Sequence, residues 1–156
     1  MTKTFNKYSS PIGELIFVCE NNKLVSLKLK NDEGIEISKE TEFSKEVSKE
    51  LDEYFIGKRK TFDIELEPVG TEFQKKVWKE LTQIPYGATC TYKDIATAIG
   101  NKNATRAVGG ANNKNPIPII IPCHRVVGAN KTLTGYAYGL ETKKYLLDLE
   151  SKKLLD

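Results

Sequence analysis

The stretch Asn115-Pro116-Ile117-Pro118-Ile119-Ile120-Ile121-Pro122-Cys123-His124-Arg125-Val126-Val127 is the most unusual part of this 156-residue chain. Its three prolines exclude a helix, because proline lacks an N–H donor and restricts the preceding residue to extended conformations. The isoleucines between them are expected to be buried. The sequence therefore predicts a rigid, buried, extended segment that delivers Cys123 to a fixed place.

The pair at the end of this stretch, Cys123 and His124, is suited to nucleophilic chemistry. A thiol with a reference pKa of about 8.5 is mostly protonated at neutral pH, and a nearby imidazole raises the fraction of reactive thiolate. A buried structural cysteine beside an exposed histidine would give the same dipeptide. The proline-rich frame and the neighbouring Arg125 favour the catalytic interpretation.

Two short helices are predicted upstream of the proline-rich stretch. Thr91 and Asp94 form a capping pattern ahead of a helix over residues 92–99, and a second helix over 104–113 follows a short turn. This spacing is typical of a helix-turn-helix. The second helix carries Arg106 and several small residues, which would allow close approach of a DNA backbone or, equally, of a packed neighbouring helix.

The remaining segments predict a mixed first half and a helical second half. Apolar runs, alternation and helical spacing predict a strand over 15–19, a turn at Asn21-Asn22, a strand with apolar residues at 25, 27 and 29, a helix over 43–55, a strand over 62–66, a helix after the Thr71/Gln74 capping box, and a last helix over 140–155. The break at Glu67-Pro68-Val69-Gly70 places a domain boundary between 1–69 and 70–156.

The charge changes at the same boundary. Residues 1–69 carry a net charge of −3 and residues 70–156 a net charge of +6. A basic half suits a polyanionic partner, of which nucleic acid is the commonest, although a solvated lysine surface explains the charge equally well.

The cysteine and histidine counts exclude several kinds of site. The three cysteines, Cys19, Cys90 and Cys123, are few and odd in number, which argues against a disulfide framework. The single histidine, His124, forms only a pair with Cys123 and not a four-ligand zinc set. No secretory leader or membrane segment is visible in the sequence. We therefore expect a cytoplasmic protein that has no metal and makes no membrane contact.

The motif Pro122-Cys123-His124-Arg125-Val126-Val127, together with Arg106-Ala107-Val108-Gly109-Gly110-Ala111 and Asn115-Pro116, resembles the methylated-DNA–protein-cysteine methyltransferases. The resemblance covers about residues 70–155, and the first 69 residues match only in length and in strand–helix character. It implies an α+β fold, in which a small α/β ribonuclease-H-like N-terminal domain precedes a helical C-terminal domain with a winged helix-turn-helix.

The same resemblance implies a function. The family repairs double-stranded DNA by moving an alkyl group from O6-alkylguanine, or from O4-alkylthymine, to a cysteine. The transfer is irreversible and occurs once per protein molecule. It needs no cofactor, and a monomer carries it out after the damaged nucleotide has been flipped out of the helix.

The resemblance also implies a role for each matching residue. Cys123 would be the nucleophile, His124 would take its proton through a water molecule, and Glu150 would orient His124. Asn115 would hold the active-site segment, and Tyr92 would protonate the departing guanine. The implied DNA contacts are Arg106, which fills the gap in the duplex, and Thr91, Gly109, Ala111, Asn112 and Arg125. The implied guanine pocket consists of Val126, Tyr136, Ala137 and Tyr138.

Three features depart from the family pattern. The N-terminal zinc ligands of some members are missing, so no zinc is expected. The chain has Asn112 at a position that is often apolar. It also has Tyr138 where glycine is usual, in Gly135-Tyr136-Ala137-Tyr138-Gly139. A Tyr138 ring that points inward would narrow the alkyl pocket, whereas one that points outward would cover surface.

Two other functions compete with alkyl transfer. The first is a DNA-binding module without chemistry, but relatives of that kind replace the cysteine that is present here as Cys123. The second is a cysteine hydrolase or redox protein that uses Cys123 and His124. A redox dithiol would need a partner cysteine in a C-x-x-C arrangement, which this sequence lacks.

Overall fold

A three-stranded antiparallel sheet in the order β1-β2-β3 forms in the first half of the chain. The computed structural model describes residues 3–29 and 35–151. The strands are β1 (Lys3–Ser10), β2 (Gly13–Glu20) and β3 (Lys23–Leu29). The predicted hairpin is confirmed: Asn21 and Asn22 take φ values of 54° and 59°, which asparagine tolerates in a two-residue turn. The mostly polar β1 was missed by the sequence reasoning.

The alternation predicted for β3 is wrong by one residue. The register between β2 and β3 shifts beside Val25, which is the extra residue of a β-bulge. Leu24 and Leu27 are therefore fully buried, whereas Val25 and Leu29 are only partly buried.

The strand predicted over 62–66 is also wrong. One parallel bridge joins Leu66 to Leu24, and the Leu24 N–H donates to the Glu65 carbonyl over 2.9 Å. The burial of side chains still alternates along this segment. Alternation shows which side chains face the core, but a strand also needs a partner along several residues.

The helix predicted over 43–55 is confirmed as α1 (Glu42–Phe55). Thr41 and Ser44 form a capping box at its start, and Gly57 lies just beyond its end with a φ of 81°. The Tyr8 hydroxyl donates to Asp52 over 2.6 Å, which ties β1 to α1.

The chain divides at Val69 into two compact units, Met1–Val69 and Gly70–Asp156. The second unit contains the helices α2 (Glu72–Leu81), α3 (Tyr92–Ala98), α4 (Thr105–Asn113) and α5 (Leu140–Glu150). These confirm the predicted helices, except that the last one ends at Glu150 with Ser151 as its C-cap, and residues 152–155 of its predicted range lie outside the described residues. The predicted capping boxes at Thr71 and Thr91 are present.

The helices α3 and α4 form the helix-turn-helix, and α2 packs against α4. The indole of Trp78 on α2 donates to the Ala111 carbonyl on α4 over 2.8 Å. Two short parallel strands, β4 (Cys90–Thr91) and β5 (Val126–Val127), pair with each other. This pairing fastens the start of α3 to the residues that follow Cys123.

The proline-rich segment is buried as predicted, but the expectation of an extended segment is wrong. The Ile121 N–H donates to the Ile117 carbonyl, and the Ile120 N–H closes a γ-turn on Pro118, each over 2.9 Å. Ile119, at the centre of that turn, has a φ of 75°, which a β-branched residue rarely adopts. The prolines have no N–H groups to offer to a neighbouring strand. The other N–H groups of this buried segment still need acceptors, so they donate to carbonyls within the segment itself.

No helix among residues 3–29 and 35–151 is both long enough and apolar enough to cross a membrane.

Candidate active site

Cys123 opens a single 3₁₀ turn, Cys123–Arg125, directly after the proline-rich segment. Its N–H donates to the Ile121 carbonyl over 2.7 Å, and only 4 % of the residue is exposed. The turn is followed at once by β5. The thiol is therefore held by backbone on both sides rather than presented on a mobile loop.

His124, Arg125 and Glu150 form a buried cluster in the second unit. The His124 Nε2 lies 2.6 Å from one carboxylate oxygen of Glu150, at the end of α5. The Arg125 guanidinium donates to both carboxylate oxygens, over 2.8 and 2.9 Å, and to the Ile84 carbonyl over 2.7 Å. Its fork therefore clamps Glu150 in one orientation.

The cluster fixes which nitrogen of His124 carries the proton. Burial alone would raise the pKa of the Glu150 carboxyl, but hydrogen bonds and charges from His124 and Arg125 outweigh burial and lower that pKa to about 2. Burial lowers the pKa of His124 despite its bond to Glu150. An ionised carboxylate only accepts hydrogen bonds, so a neutral His124 carries its proton on Nε2. The buried Nδ1 has no hydrogen-bond partner among the described residues and can accept a proton.

The thiol itself rests protonated. Burial raises the pKa of Cys123 to about 11, against the opposing influence of an Asn115 hydrogen bond, the Lys143 charge and a Tyr136 hydrogen bond. A protonated thiol is a weak nucleophile, so this site requires a base near the sulfur. His124, the next residue in the chain, has the required neutral form.

Two asparagines connect the thiol to its supporting segments. The Asn115 side chain donates to the Ile121 carbonyl over 2.7 Å and accepts from the Ile117 N–H over 2.9 Å. The Asn112 amide, at the end of α4, donates to the Cys123 carbonyl over 3.4 Å. Asn115 thus closes the proline-rich segment on itself, and Asn112 joins α4 to the turn that carries Cys123.

The loop before α5 is tied to the start of α3. The Tyr92 hydroxyl, from the start of α3, donates to the Thr134 carbonyl over 3.2 Å. The ring of Tyr136 meets that of Tyr138 edge to face, with centroids 5.9 Å apart. Ala137, between them, is exposed. This loop therefore carries three of the predicted pocket residues, and the hydroxyl of Tyr92 is bonded to its backbone.

Lys143 belongs to the site, although the sequence reasoning missed it. The side chain is fully buried on α5, and its ammonium group donates to the carbonyls of Val126 and Thr134 over 2.6 and 2.7 Å. Burial lowers its pKa to about 8. The sequence does indicate that Lys143 is buried, because it lies three residues before Leu146 and seven before Glu150. This spacing places it on the buried face of α5.

The structure corrects three of the expected DNA contacts. Arg125 is only 6 % exposed and is bound to Glu150, while Ala111 and Asn112 are buried between α4 and its neighbours. Arg106 is exposed, and Thr91 and Gly109 are partly buried. Buried side chains cannot meet a phosphate backbone, so Arg125 supports Glu150 instead. Within residues 3–29 and 35–151, no three histidine, cysteine or acidic side chains are grouped to hold a metal ion.

Family models match both units of the chain. Residues 4–68 match the ribonuclease-like domain of 6-O-methylguanine DNA methyltransferase, and residues 72–152 match its DNA-binding domain. The chain belongs to the methylated-DNA–protein-cysteine methyltransferase family. The family and fold class expected from the sequence are thereby confirmed.

Relatives in the same family are similar over nearly the whole chain. A Methanosarcina acetivorans methylated-DNA–protein-cysteine methyltransferase is 51 % identical over 148 residues, which are 92 % of this chain and 95 % of the relative. The constitutive Bacillus subtilis enzyme of that name is 45 % identical over 150 residues, covering 90 % and 91 %. A crystal structure of Mycobacterium tuberculosis OGT in complex with DNA superposes with a TM-score of 0.89, with 41 % identity and coverage of 96 % and 94 %.

We predict that Glu150→Gln lowers the free energy of unfolding at pH 7 by about 3–5 kcal/mol, because it leaves the Arg125 guanidinium buried without a counter-charge. The stabilisation by Glu150 is present above the carboxyl pKa of the unfolded chain, about 4.3, and is lost as the pH falls toward the folded value of about 2. Urea denaturation at pH 7, 5 and 3 measures the difference in free energy of unfolding between the wild type and Glu150→Gln. This difference should become smaller as the pH falls.

Asp148→Asn is the matched control, since Asp148 lies on the same helix in an ion pair with the exposed Lys144. We expect it to cost less than about 1 kcal/mol. An equal loss in the two variants, or a gap that does not change with pH, would contradict the buried cluster as the source of the stability.

We predict that Lys143→Met loosens the segment 132–139, because the Thr134 and Val126 carbonyls lose a charged donor worth about 1.5–3 kcal/mol. Chymotrypsin should then cleave the native protein in that segment about tenfold faster or more. Lys144→Met removes the adjacent lysine, which is exposed and paired with Asp148, and should leave the cleavage rate unchanged. Equal cleavage in both variants would mean that Lys143 does not hold the segment.

Proposed function

We propose that this protein repairs alkylated DNA by one irreversible transfer of an alkyl group from guanine O6 to the sulfur of Cys123. The observation that carries the proposal is the buried pairing of Glu150 with His124, which leaves Nδ1 of His124, the residue after Cys123, as a proton acceptor. The names of the relatives and the family models support the same activity. The chemistry requires no cofactor.

The transfer begins at the thiol. The Cys123 proton passes to His124 Nδ1, directly or through one water molecule, and Glu150 stabilises the imidazolium that forms. The thiolate then attacks the alkyl carbon in line. The new S–C bond forms as the C–O bond of guanine O6 breaks, and the electron pair of that bond goes to guanine.

The departing guanine needs a proton, and Tyr92 is the group that we assign to supply it. In the structure its hydroxyl donates to the Thr134 carbonyl, so it is already oriented toward the loop that forms the predicted pocket. When a guanine base occupies the pocket, the Tyr92 hydroxyl would donate to that base instead of to the Thr134 carbonyl. Val126, Tyr136, Ala137 and Tyr138 form the pocket in this proposal, and Asn115 and Lys143 position the thiol.

DNA binding is assigned to the helix-turn-helix of the second unit. The unit carries a net charge of +6 over residues 70–156, which favours a phosphate backbone. Arg106, exposed in the first turn of α4, is the side chain that we assign to the space left by the flipped nucleotide. Thr91 and Gly109 are the further contacts, since neither is fully buried.

We propose further that residues 1–69 and 70–156 are separate domains and that the protein acts as a monomer in the cytoplasm. The compact units and the charge change at the same boundary support the division. All of the residues to which we assign roles in the transfer lie in the second unit.

A cysteine hydrolase with the same Cys–His pair is the second candidate, and its chemistry distinguishes it. A hydrolase regenerates its thiol from an acyl intermediate, whereas alkyl transfer leaves a thioether, which has no facile route back to the thiol. The alkyl-transfer proposal therefore requires a stoichiometry of one alkyl group per protein molecule.

We predict that Cys123→Ala abolishes methyl transfer from methylguanine-containing duplex DNA but retains DNA binding, because the thiol is buried and the exposed α4 surface is unchanged. Intact-protein mass spectrometry with excess substrate should find one added methyl group on the wild type and none on this variant. Fluorescence anisotropy with a labelled duplex measures binding.

Cys19→Ala and Cys90→Ala are the controls and should each accept one methyl group. Methylation of Cys123→Ala would overturn the assignment of the nucleophile. Turnover beyond one equivalent per molecule would favour the hydrolase.

We predict that Arg106→Ala slows transfer from duplex DNA about 10- to 100-fold more than transfer from a free alkylguanine base, because unstacking a nucleotide costs a few kcal/mol and a free base needs none. Single-turnover rates with the two substrates give the ratio. Lys102→Ala, an exposed cation in the turn before α4, should weaken DNA binding without changing that ratio. Equal losses on both substrates would assign Arg106 to the fold or to the thiol site.

A further inference from the structure

Tyr92, to which we assign the protonation of the departing guanine, lies along one face of α4. A Cβ atom placed on Gly109 would be 3.9 Å from the Tyr92 ring, so the ring packs against the α4 backbone at that glycine. Asn113 lies four residues after Gly109 and therefore one turn further along the same face of the helix. The Tyr92 ring and the Asn113 side chain thus share one side of α4.

The hydroxyl of Tyr92 and the amide of Asn113 border the same small space beside Gly135. A Cβ atom on Gly135 would lie 3.7 Å from the Tyr92 hydroxyl and 3.8 and 4.0 Å from Nδ2 and Oδ1 of Asn113. Gly135 has a left-handed φ of 45°, a conformation that disfavours any residue with a side chain. The space between the two polar groups is therefore kept open, at the start of the loop segment that carries Tyr136, Ala137 and Tyr138.

Asn113 differs from the other two asparagines at the end of α4. Asn112 and Asn115 are buried and bonded to the segment that carries the thiol, whereas Asn113 is exposed. A side-chain amide has a carbonyl that accepts hydrogen bonds and an NH₂ group that donates them. The Tyr92 hydroxyl and the Asn113 carbonyl can therefore offer one donor and one acceptor to a ligand in the same space.

Guanine carries the complementary pair of groups. Its exocyclic amino group, N2, lies between the ring nitrogens N1 and N3, so an N–H donor adjoins an acceptor on that edge of the base. When the Tyr92 hydroxyl donates to one of these nitrogens, the amino group lies directly beside it and needs an acceptor. In the duplex that acceptor belongs to the opposite base, and a flipped guanine has lost it.

We propose that Asn113 is a specificity-determining residue whose side-chain carbonyl accepts a hydrogen bond from the N2 amino group of the flipped alkylguanine. This inference rests on the proposed transfer to Cys123 and adds a side chain that reads the base rather than the alkyl group. The contact replaces the hydrogen bond that the amino group loses when the nucleotide leaves the duplex. A purine that lacks the amino group gains nothing from Asn113 and is transferred more slowly.

The test uses two duplexes of one sequence, which contain either O6-methylguanine or O6-methylhypoxanthine, the analogue without the amino group. Single-turnover rates with the full-length protein give a guanine-to-hypoxanthine ratio, and effects of base pairing and leaving group cancel when ratios are compared between variants. Asn113→Ala should lower this ratio about 3- to 10-fold, the effect of one hydrogen bond at an exposed site. Asn113→Asp keeps an acceptor, so its ratio should stay within about twofold of the wild-type ratio. Lys114→Ala, a change of the exposed neighbouring residue, should leave the ratio unchanged.

The outcomes separate the two proposals. If Asn113→Ala slows transfer from both duplexes equally, or from neither, Asn113 does not read the amino group. A fall in the ratio for Asn113→Asp as large as for Asn113→Ala would show that the acceptor is not what matters, and would also overturn the proposal. The same fall in Lys114→Ala would assign the effect to the end of α4 in general. If the wild type leaves Cys123 unmodified with both duplexes, the proposed function itself fails.

Discussion

The carboxylate of Glu150 accepts hydrogen bonds from both His124 and Arg125 in the interior of the second unit, where none of the three residues is more than slightly exposed. A buried carboxylate is stable only when its charge is compensated, and the Arg125 fork provides that compensation. With its charge satisfied, Glu150 fixes the tautomer and the orientation of His124. The end of α5 is thereby bound to the turn that carries Cys123.

The protonation states of the site follow from this arrangement. Glu150 is ionised, His124 is neutral and the Cys123 thiol is protonated. A resting thiol of this kind is protected from adventitious electrophiles and becomes reactive only when a proton acceptor is used. In our proposal, that acceptor is Nδ1 of His124, which has no hydrogen-bond partner among the described residues.

The sequence alone determined those features that local patterns control. The capping boxes at Thr71 and Thr91 started their helices at the expected residues, and paired asparagines formed the expected hairpin turn. Cap and turn geometry depend on residues three or four positions apart, so no distant partner is needed. The motif around Cys123 likewise identified the family, because its residues are contiguous in the chain.

The tertiary structure decided the features that depend on distant partners. The bulge at Val25 follows from pairing with another strand, and Arg125 turned inward because Glu150, 25 residues later, needs a counter-charge. Lys143 became part of the site because two loop carbonyls converge on it. A buried charge or polar backbone group must find a partner wherever the fold supplies one, and the linear sequence does not show where that partner will lie.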